Sequence, residues 1–108
     1  MSFISAHVLD ASGGRPAVGV AIALKAADGE ELGDGVTDAD GRVSDLGPDG
    51  LTPGDYRVVF GTGRYFADQG QQAFHPEVEV RFTVVAGEQH YHIPLLLSPY
   101  AYTTYRGS

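Results

Sequence analysis

The sequence predicts an all-β domain, a two-sheet β-sandwich of seven to eight short strands with one short helix. Short stretches in which apolar and polar side chains alternate are separated by turn residues, and the 108 residues include 15 glycines and 6 prolines. A chain of this length holds one hydrophobic core. We therefore expect residues 1–108 to form a single domain.

The N-terminal half predicts two strands and, after the second of them, two turns. Residues 3–9 alternate, so they predict a half-buried strand with His7 opposite its aliphatic face. Residues 18–24 alternate in the same way, and Asp28-Gly29 behind them is a pair typical of tight hairpins. The acidic stretch 37–43 predicts a polar turn between further strands. The positions of the first strand that point away from its aliphatic face are Ser5, His7 and Leu9.

The C-terminal half predicts four strands and the helix. Residues 55–61 and 77–85 alternate with period two and predict strands. Between them, residues 64–72 show no alternation and contain few helix breakers, so they are the candidate for the short helix. The last long strand covers residues 90–97, and residues 101–105 predict a short returning strand.

The strand over residues 90–97 is apolar on both faces near its end. We therefore expect it to lie between two sheets or against another subunit. His92 and Pro94 lie on the face opposite Tyr91 and Ile93. Because Pro94 has no amide proton to donate to a ladder, we expect an edge strand, or a strand that pairs at this point through its opposite side.

Composition narrows the possible partners and compartments. A domain this small buries only about 60–70% of its unfolded surface, so an apolar content of 43% indicates burial between subunits, and we expect an oligomer. The absence of cysteine excludes disulfides and thiolate metal sites. A net charge of −7 disfavours nucleic acid as a partner. The first residues lack signal-peptide features and no stretch approaches the ~20 apolar residues of a membrane span, so we expect no membrane association and a cytoplasmic location.

Two histidines, His7 and His92, project from the non-core faces of the first and the last long strand. If these faces converge, the pair can divide the roles of base and acid near neutral pH without a metal, because histidine has an ordinary pKa of about 6.5. The alternative is that each is a surface or interface histidine that only forms hydrogen bonds. Alternation alone leaves both interpretations open.

Other polar residues allow further interpretations. His90 and His92 share a strand face and imidazole suits zinc or copper, so a metal site is an alternative, although this spacing is weakly specific. Arg42 is by default an exposed charge, but inside a pocket its guanidinium would clamp a carbonyl or a developing oxyanion. Residues 105–108 are by default a frayed tail.

Three sequence blocks resemble those of the 5-hydroxyisourate hydrolases, which are transthyretin-related proteins. The most specific block is residues 90–100 (HYHIPLLLSPY) followed by residues 102–108 (YTTYRGS). Residues 6–10 and 37–42 resemble the two other blocks of the family, so the likeness covers essentially the whole chain. The resemblance implies a transthyretin-like (prealbumin-like) fold and a homotetramer, a dimer of dimers with active sites in the channel between the dimers.

The resemblance also implies an activity: hydrolysis of a C–N bond in the cyclic amide 5-hydroxyisourate, giving 2-oxo-4-hydroxy-4-carboxy-5-ureidoimidazoline in urate (purine) degradation. It implies no metal and no cofactor. The catalytic residues that it implies are His7, Arg42, His92 and Ser108. The substrate-binding residues that it implies are His7, Arg42, Tyr105 and Arg106.

Two functions compete with this hydrolase. One is a transthyretin-like carrier that binds a small molecule without transforming it; the resemblance implies that transthyretin holds other residue types at the positions of His7, Arg42, His92 and Tyr105, which favours catalysis. The other is a structural β-sandwich of the surface-adhesin kind, whose turns resemble residues 36–42. Because one fold hosts several functions, the choice depends on the site.

Overall fold

A computed structural model describes residues 3–107, which form two β-sheets packed face to face. Nine strands and one helix occur within this range, and seven of the strands have four or more residues, so the predicted β-sandwich is confirmed. In chain order the elements are β1 (Ile4–Asp10), β2 (Arg15–Pro16), β3 (Ala21–Ala26), β4 (Glu31–Val36), β5 (Arg42–Val43), β6 (Gly54–Phe60), α1 (Thr62–Ala67), β7 (Val78–Val84), β8 (Tyr91–Ser98) and β9 (Ala101–Thr104).

The core lies between the two sheets, and period-two alternation decides which side chains enter it. In β1 the residues at positions 4, 6 and 8 are buried while those at 5, 7 and 9 are half-buried on the other face. The facing sheet contributes Leu24, Val58 and Phe60, each fully buried. Burial of a side chain of this size contributes about 1.5–3 kcal/mol, so these alternating positions hold the sandwich together.

The first sheet has the order β2-β1-β8-β9. β5 also pairs directly with β1, at Ala6 and His7, whereas β2 pairs with β1 at Leu9 and Asp10. The second sheet has the order β4-β3-β6-β7 with antiparallel pairing throughout. In the first sheet β1 and β8 run parallel, which makes the first long strand of the chain the direct neighbour of the last one. The outer face of this sheet therefore combines side chains from both ends of the sequence.

Of the two alternatives for this strand, the edge position is wrong, because β8 lies between β1 and β9. The other alternative, pairing at Pro94 through the opposite side, is confirmed by the ladder with β1. Pro94 is opposite His7 in the parallel ladder with β1. Its lack of an amide proton affects only the side of β8 that faces β9. There the ladder stops at Leu95 opposite Thr104 and resumes as a single bridge between His92 and Gly107. The Thr104 hydroxyl donates to the Pro94 carbonyl at 2.8 Å, so a side chain occupies the interruption.

The helix is shorter than predicted: it covers Thr62–Ala67 instead of 64–72. It ends early because Gly70 has a left-handed φ of 71° and the Gln71 amide donates back to the Phe66 carbonyl at 2.9 Å, the arrangement of a Schellman cap. Within the described range 3–107, no helix is long and apolar enough to cross a membrane.

Two predicted turns are confirmed, and one strand begins later than expected. Gly29 has a φ of 93° in the hairpin between β3 and β4, as the Asp-Gly pair predicts. The acidic turn joins β4 to β5. The strand predicted over residues 18–24 begins only at Ala21, because Gly19 has a φ of 84° and the Val20 amide donates to the Thr37 hydroxyl at 2.8 Å.

Candidate active site

Three neighbouring strands bring the predicted site residues onto one face of the first sheet. β1 lies between β5 and β8, and its His7 is opposite Arg42 of β5 in the antiparallel ladder. On the other side Ser5 is opposite His92 of β8. The imidazole rings of His7 and His92 have centroids 6.4 Å apart. Two imidazoles and one guanidinium that are distant in sequence are therefore adjacent in space.

The acidic turn between β4 and β5 fixes the position of His7. The Asp38 carboxylate accepts the backbone amides of Asp40 at 2.9 Å and Arg42 at 3.0 Å, and these hydrogen bonds lower the pKa of Asp38. Gly41 permits the close approach of this turn to β1, since a Cβ atom there would clash with the Val8 carbonyl oxygen. The turn thereby places the Asp40 carbonyl beside His7.

The contact between His7 and Asp40 determines which ring nitrogen of His7 carries a proton. His7 Nε2 lies 3.0 Å from the Asp40 carbonyl oxygen. A carbonyl oxygen only accepts, so Nε2 must be the donor. In the neutral ring this leaves Nδ1 with the lone pair. His7 is therefore held in the tautomer whose basic nitrogen is Nδ1.

His92 contacts a serine on the neighbouring strand. The Ser5 hydroxyl lies 2.8 Å from His92 Nδ1 and 3.1 Å from His90 Nε2, so it bridges the two imidazoles. Within residues 3–107, the hydrogen bond between Ser5 and the His92 ring uses the Nδ1 atom and leaves Nε2 out. Nε2 is thus the ring nitrogen of His92 that remains for a bound molecule.

The surroundings of His92 favour its neutral form. Burial lowers the pKa of His92 below its ordinary 6.5, and the positive charge of Arg42 and the neighbouring His7 and His90 lower it further. A desolvated imidazole next to a fixed guanidinium is costly to protonate. His92 is therefore neutral near pH 7.

A cavity of about 310 Å³ opens at this face. Its polar lining includes a cation and imidazoles, while Arg42 forms no ion pair within the described residues. Such a volume suits a small molecule, and the donors suit carbonyl oxygens. The residues that line the cavity are Ser5, Ala6, Arg42, Val43, Ser44, His90 and His92.

The C-terminal tail runs beside His92 at Gly107, but the side chains of Tyr105 and Arg106 point elsewhere. The Gly107 amide donates to the His92 carbonyl at 2.9 Å. The Arg106 guanidinium pairs with Glu88 at 3.2 Å and lies over the Tyr91 ring, 4.3 Å from its centroid. Tyr105, with 57% of its surface exposed, lines a separate groove with Arg106 and residues 80–83 and 85.

The structure therefore brings three of the expected site residues together on one face and places the side chains of two others elsewhere. His7, Arg42 and His92 share one face, whereas the side chains of Tyr105 and Arg106 lie in the other groove. Ser108 falls outside the described residues. For the alternative of a metal site, residues 3–107 contain no group of three or more His, Cys, Asp or Glu side chains placed to hold an ion.

From the sequence, Ser5 has no predicted role in this site, His90 is a candidate only for the metal alternative, and Gly107 belongs only to the tail that the resemblance places at the site. Alternation already puts Ser5 on the face of His7, and His90 on the face of His92. The missing information was the pairing of β1 with β8, which no local pattern specifies. Gly107 is recognisable only once its distance to the His92 ring is known.

A two-sheet β-sandwich whose outer face carries paired histidines and an arginine defines the class of this protein. The chain belongs to the HIUase/Transthyretin family, whose model matches residues 4–107. The transthyretin-like fold expected from the sequence is thereby confirmed.

Relatives from both branches of the family are similar to this chain. A 5-hydroxyisourate hydrolase of Salmonella dublin is 45% identical over 111 residues, which cover 99% of this chain and 82% of the relative. The structure of Klebsiella pneumoniae 5-hydroxyisourate hydrolase is 39% identical, with a TM-score of 0.91 and all of both chains covered. Transthyretin from Sparus aurata is also 39% identical, with a TM-score of 0.89 and coverage of 99% of this chain and 97% of that one.

Proposed function

We infer that this chain is an enzyme that hydrolyses 5-hydroxyisourate, a step of urate degradation. Relatives that carry the name 5-hydroxyisourate hydrolase occur in bacteria and in the mouse. Structural similarity alone does not separate enzyme from carrier, since a transthyretin resembles the chain almost as closely as a hydrolase does, whereas the curated relatives that match in sequence favour the hydrolase. The observation that carries the inference is the grouping of His7, Arg42 and His92 on one face, because a carrier of apolar molecules needs no such set.

His7 is proposed as the general base. Hydrolysis requires water to attack a ring carbonyl, so one group must accept a proton from that water. The hydrogen bond from Nε2 to the Asp40 carbonyl leaves Nδ1 as the basic nitrogen. A general base with this orientation contributes about 10²–10⁴-fold to the rate.

Arg42 is proposed to bind the oxygen that becomes negatively charged. Its side chain lines the cavity without an ion pair among the described residues, so its charge is available to a substrate. One well-placed donor to the tetrahedral oxyanion contributes about 10²–10³-fold. His92 is proposed to give a proton to the leaving ring nitrogen through Nε2. The reaction then needs no metal and no cofactor.

The tail, the assembly and the compartment remain predictions. We propose that Ser108, Tyr105 and Arg106 contact the substrate, which requires the tail to form part of the site. We propose that assembly into a homotetramer, a dimer of dimers, places the tail at the site. The outer face that holds the site also leaves Leu9 and Leu96 half-buried, which supports a partner subunit there. Light scattering in solution tests the tetramer, and cell fractionation tests the cytoplasmic location.

The test of the function is to mix the purified protein with freshly generated 5-hydroxyisourate and follow the ultraviolet absorbance. We expect rapid decay for the unaltered chain and a loss of at least about 100-fold for His7→Ala and His92→Ala. His75→Ala is the matched control, since His75 packs against Phe74 and Tyr102 away from the site. No acceleration by the unaltered chain would overturn the function, and full activity of either site variant would remove that histidine from the mechanism.

A further inference from the structure

We propose that Ser5 and His90 form a proton relay to His92, with Ser5 as the positioning residue and the exposed His90 as the point of exchange with solvent. The relay deepens the proposed function and rests on it, because it explains how His92 acts as an acid. Neither Ser5 nor His90 belongs to the catalytic set that the resemblance implies.

The geometry of the relay follows from the parallel pairing of β1 and β8. Ser5 and His92 are direct partners in that ladder, so the hydroxyl faces the imidazole across two adjacent strands. His90 lies two residues before His92, on the same side. The Ser5 oxygen is within hydrogen-bond distance of both rings, at 2.8 Å from His92 and 3.1 Å from His90.

The bridge couples the protons of the two rings. A serine hydroxyl has one proton, so Ser5 donates to at most one of the two imidazoles, and at least one ring donates to Ser5. When His90 donates and Ser5 donates onward, His92 Nδ1 is an acceptor and its own proton is on Nε2. In that arrangement His92 presents an N–H to the cavity.

This arrangement solves a chemical difficulty for a neutral acid. The pKa of His92 is lowered, so its imidazolium is scarce near pH 7, and a neutral imidazole that loses its only N–H proton would become a costly anion. The relay avoids the anion. As the Nε2–H bond breaks and a new N–H bond forms on the leaving nitrogen of the substrate, the Ser5 O–H bond breaks and a proton bonds to His92 Nδ1.

The last proton transfer, from His90 to Ser5, completes the proton balance of the relay. The proposed relay starts from His90 as an imidazolium: the N–H bond at its Nε2 breaks, a proton bonds to the Ser5 oxygen, and His90 becomes neutral. His90 then takes a proton from solvent, to which His7 returns the proton that it accepted from the attacking water. His90 is exposed, which allows this exchange. The charged and titratable groups that face His92 are Arg42 from β5, His7 from β1 and His90 itself, and Arg42 keeps its charge throughout.

The first test follows the tautomer of His92 and needs no turnover. Long-range ¹H–¹⁵N spectra of labelled protein distinguish a proton on Nδ1 from one on Nε2. We expect the proton of neutral His92 predominantly on Nε2 in the unaltered chain, and a redistribution toward Nδ1 in Ser5→Ala. Identical tautomer populations in the two proteins would overturn the relay, whatever the enzyme hydrolyses.

The second test is kinetic. We expect Ser5→Ala to lower kcat about tenfold to 100-fold with little change in KM, and Ser5→Thr, which restores a hydroxyl, to recover most of the loss. His90→Gln retains hydrogen-bonding groups but cannot exchange protons, so its kcat should rise with added imidazole buffer while that of the unaltered chain stays constant. A loss in Ser5→Ala that threonine does not recover, or a His90→Gln rate independent of buffer, would contradict the proposal.

The two failures are distinguishable. If the unaltered chain does not hydrolyse 5-hydroxyisourate, the proposed function fails, and the spectra of His92 still report whether Ser5 controls its tautomer. If hydrolysis is rapid and unaffected by either substitution, the function stands and the relay is wrong.

Discussion

A Cβ atom on Gly107 would lie 2.5 Å from Cδ2 of His92. The tail thus packs directly against one edge of the His92 ring, while Ser5 contacts Nδ1. Real Cβ atoms essentially never approach a heavy atom of a residue that is not a chain neighbour within 3.0 Å, so any side chain at position 107 must displace either the tail or the ring. Gly107 is therefore a determinant of where His92 points.

We predict that Gly107→Ala lowers kcat by at least about tenfold with a melting temperature within a few degrees of the original. The reason is that catalysis depends on sub-ångström placement, whereas the end of the chain contributes little to global stability. Steady-state kinetics and thermal unfolding measure the two effects. Gly50→Ala is the control, since nothing lies within 4 Å of a Cβ atom there. Equal activity of both variants would contradict the packing argument.

We predict that the pKa of His92 lies below 6.5 and that Arg42→Gln raises it toward that value. Burial is the largest cause of the lowered pKa and remains in the variant, so the recovery is partial. An NMR titration of the His92 ring measures both values. Lys25→Gln removes a cation from the other sheet and should leave the titration unchanged. An unchanged His92 titration in Arg42→Gln would show that the guanidinium exerts no field at the ring.

The same lowered pKa has a consequence for stability. Between the folded-state pKa of His92 and 6.5, the unfolded chain binds more protons at this position than the folded chain does. The free energy of unfolding should therefore decrease as the pH is lowered from 6.5, and this contribution should level off below the folded-state pKa. Urea titrations across this interval, for the unaltered chain and for His92→Gln, isolate the contribution as the difference between the two slopes. The slope of the unaltered chain should be the steeper.

We predict that Tyr65→Phe destabilises the fold by about 1–3 kcal/mol without loss of activity. Asp10, 1% exposed at the end of β1, accepts hydrogen bonds from the Tyr65 hydroxyl at 2.8 Å and the Ser12 hydroxyl at 2.6 Å. Burial raises the pKa of Asp10, but these bonds and that from the Gly13 amide outweigh burial and lower it. Without the Tyr65 hydroxyl, the buried Asp10 carboxylate accepts one hydrogen bond fewer.

Chemical denaturation measures this effect, and Tyr100→Phe is the matched control because Tyr100 is 65% exposed. The control should change stability by no more than about 0.5 kcal/mol. A Tyr65→Phe variant as stable as the control would show that the hydroxyl contributes nothing to holding α1 against β1.

We predict that Arg106→Met loosens the tail more than it destabilises the fold. The guanidinium pairs with Glu88, donates to the His90 carbonyl at 3.2 Å and lies over Tyr91. Exposed ion pairs contribute about 0–1 kcal/mol and a cation over an aromatic ring about 0.5–1 kcal/mol, so the global effect is small. We expect the Gly107 amide, which donates to the His92 carbonyl next to this anchor, to exchange with deuterium faster in the variant.

Hydrogen exchange followed by NMR measures this change at the Gly107 amide. Arg64→Met is the matched control, because it removes an exposed ion pair with Asp68 on α1 and leaves the tail intact. Slow exchange at Gly107 in Arg106→Met, equal to that in the control, would mean that Arg106 does not hold the tail.

Much of this fold was predictable from local patterns. Alternation in β1 and β8 identified the strands, their buried faces and the outward direction of His7 and His92. The Asp-Gly pair identified the hairpin because glycine adopts the required left-handed φ. The helix end was misjudged, since residues 68–72 contain good helix formers and the Schellman cap at Gly70 became evident only from its hydrogen bonds.

What the sequence by itself determined is the set of chemical groups and the face of each strand on which they lie, because strand period and side-chain chemistry are local properties. What only the tertiary structure decided is which strands are neighbours. The parallel pairing of β1 with β8 and the antiparallel pairing with β5 place Ser5, His7, Arg42 and His92 together. Such pairing depends on the packing of the whole core, in which residues more than 80 positions apart in sequence are in contact. Because these distant contacts stabilise the fold cooperatively, no short stretch of sequence encodes the pairing.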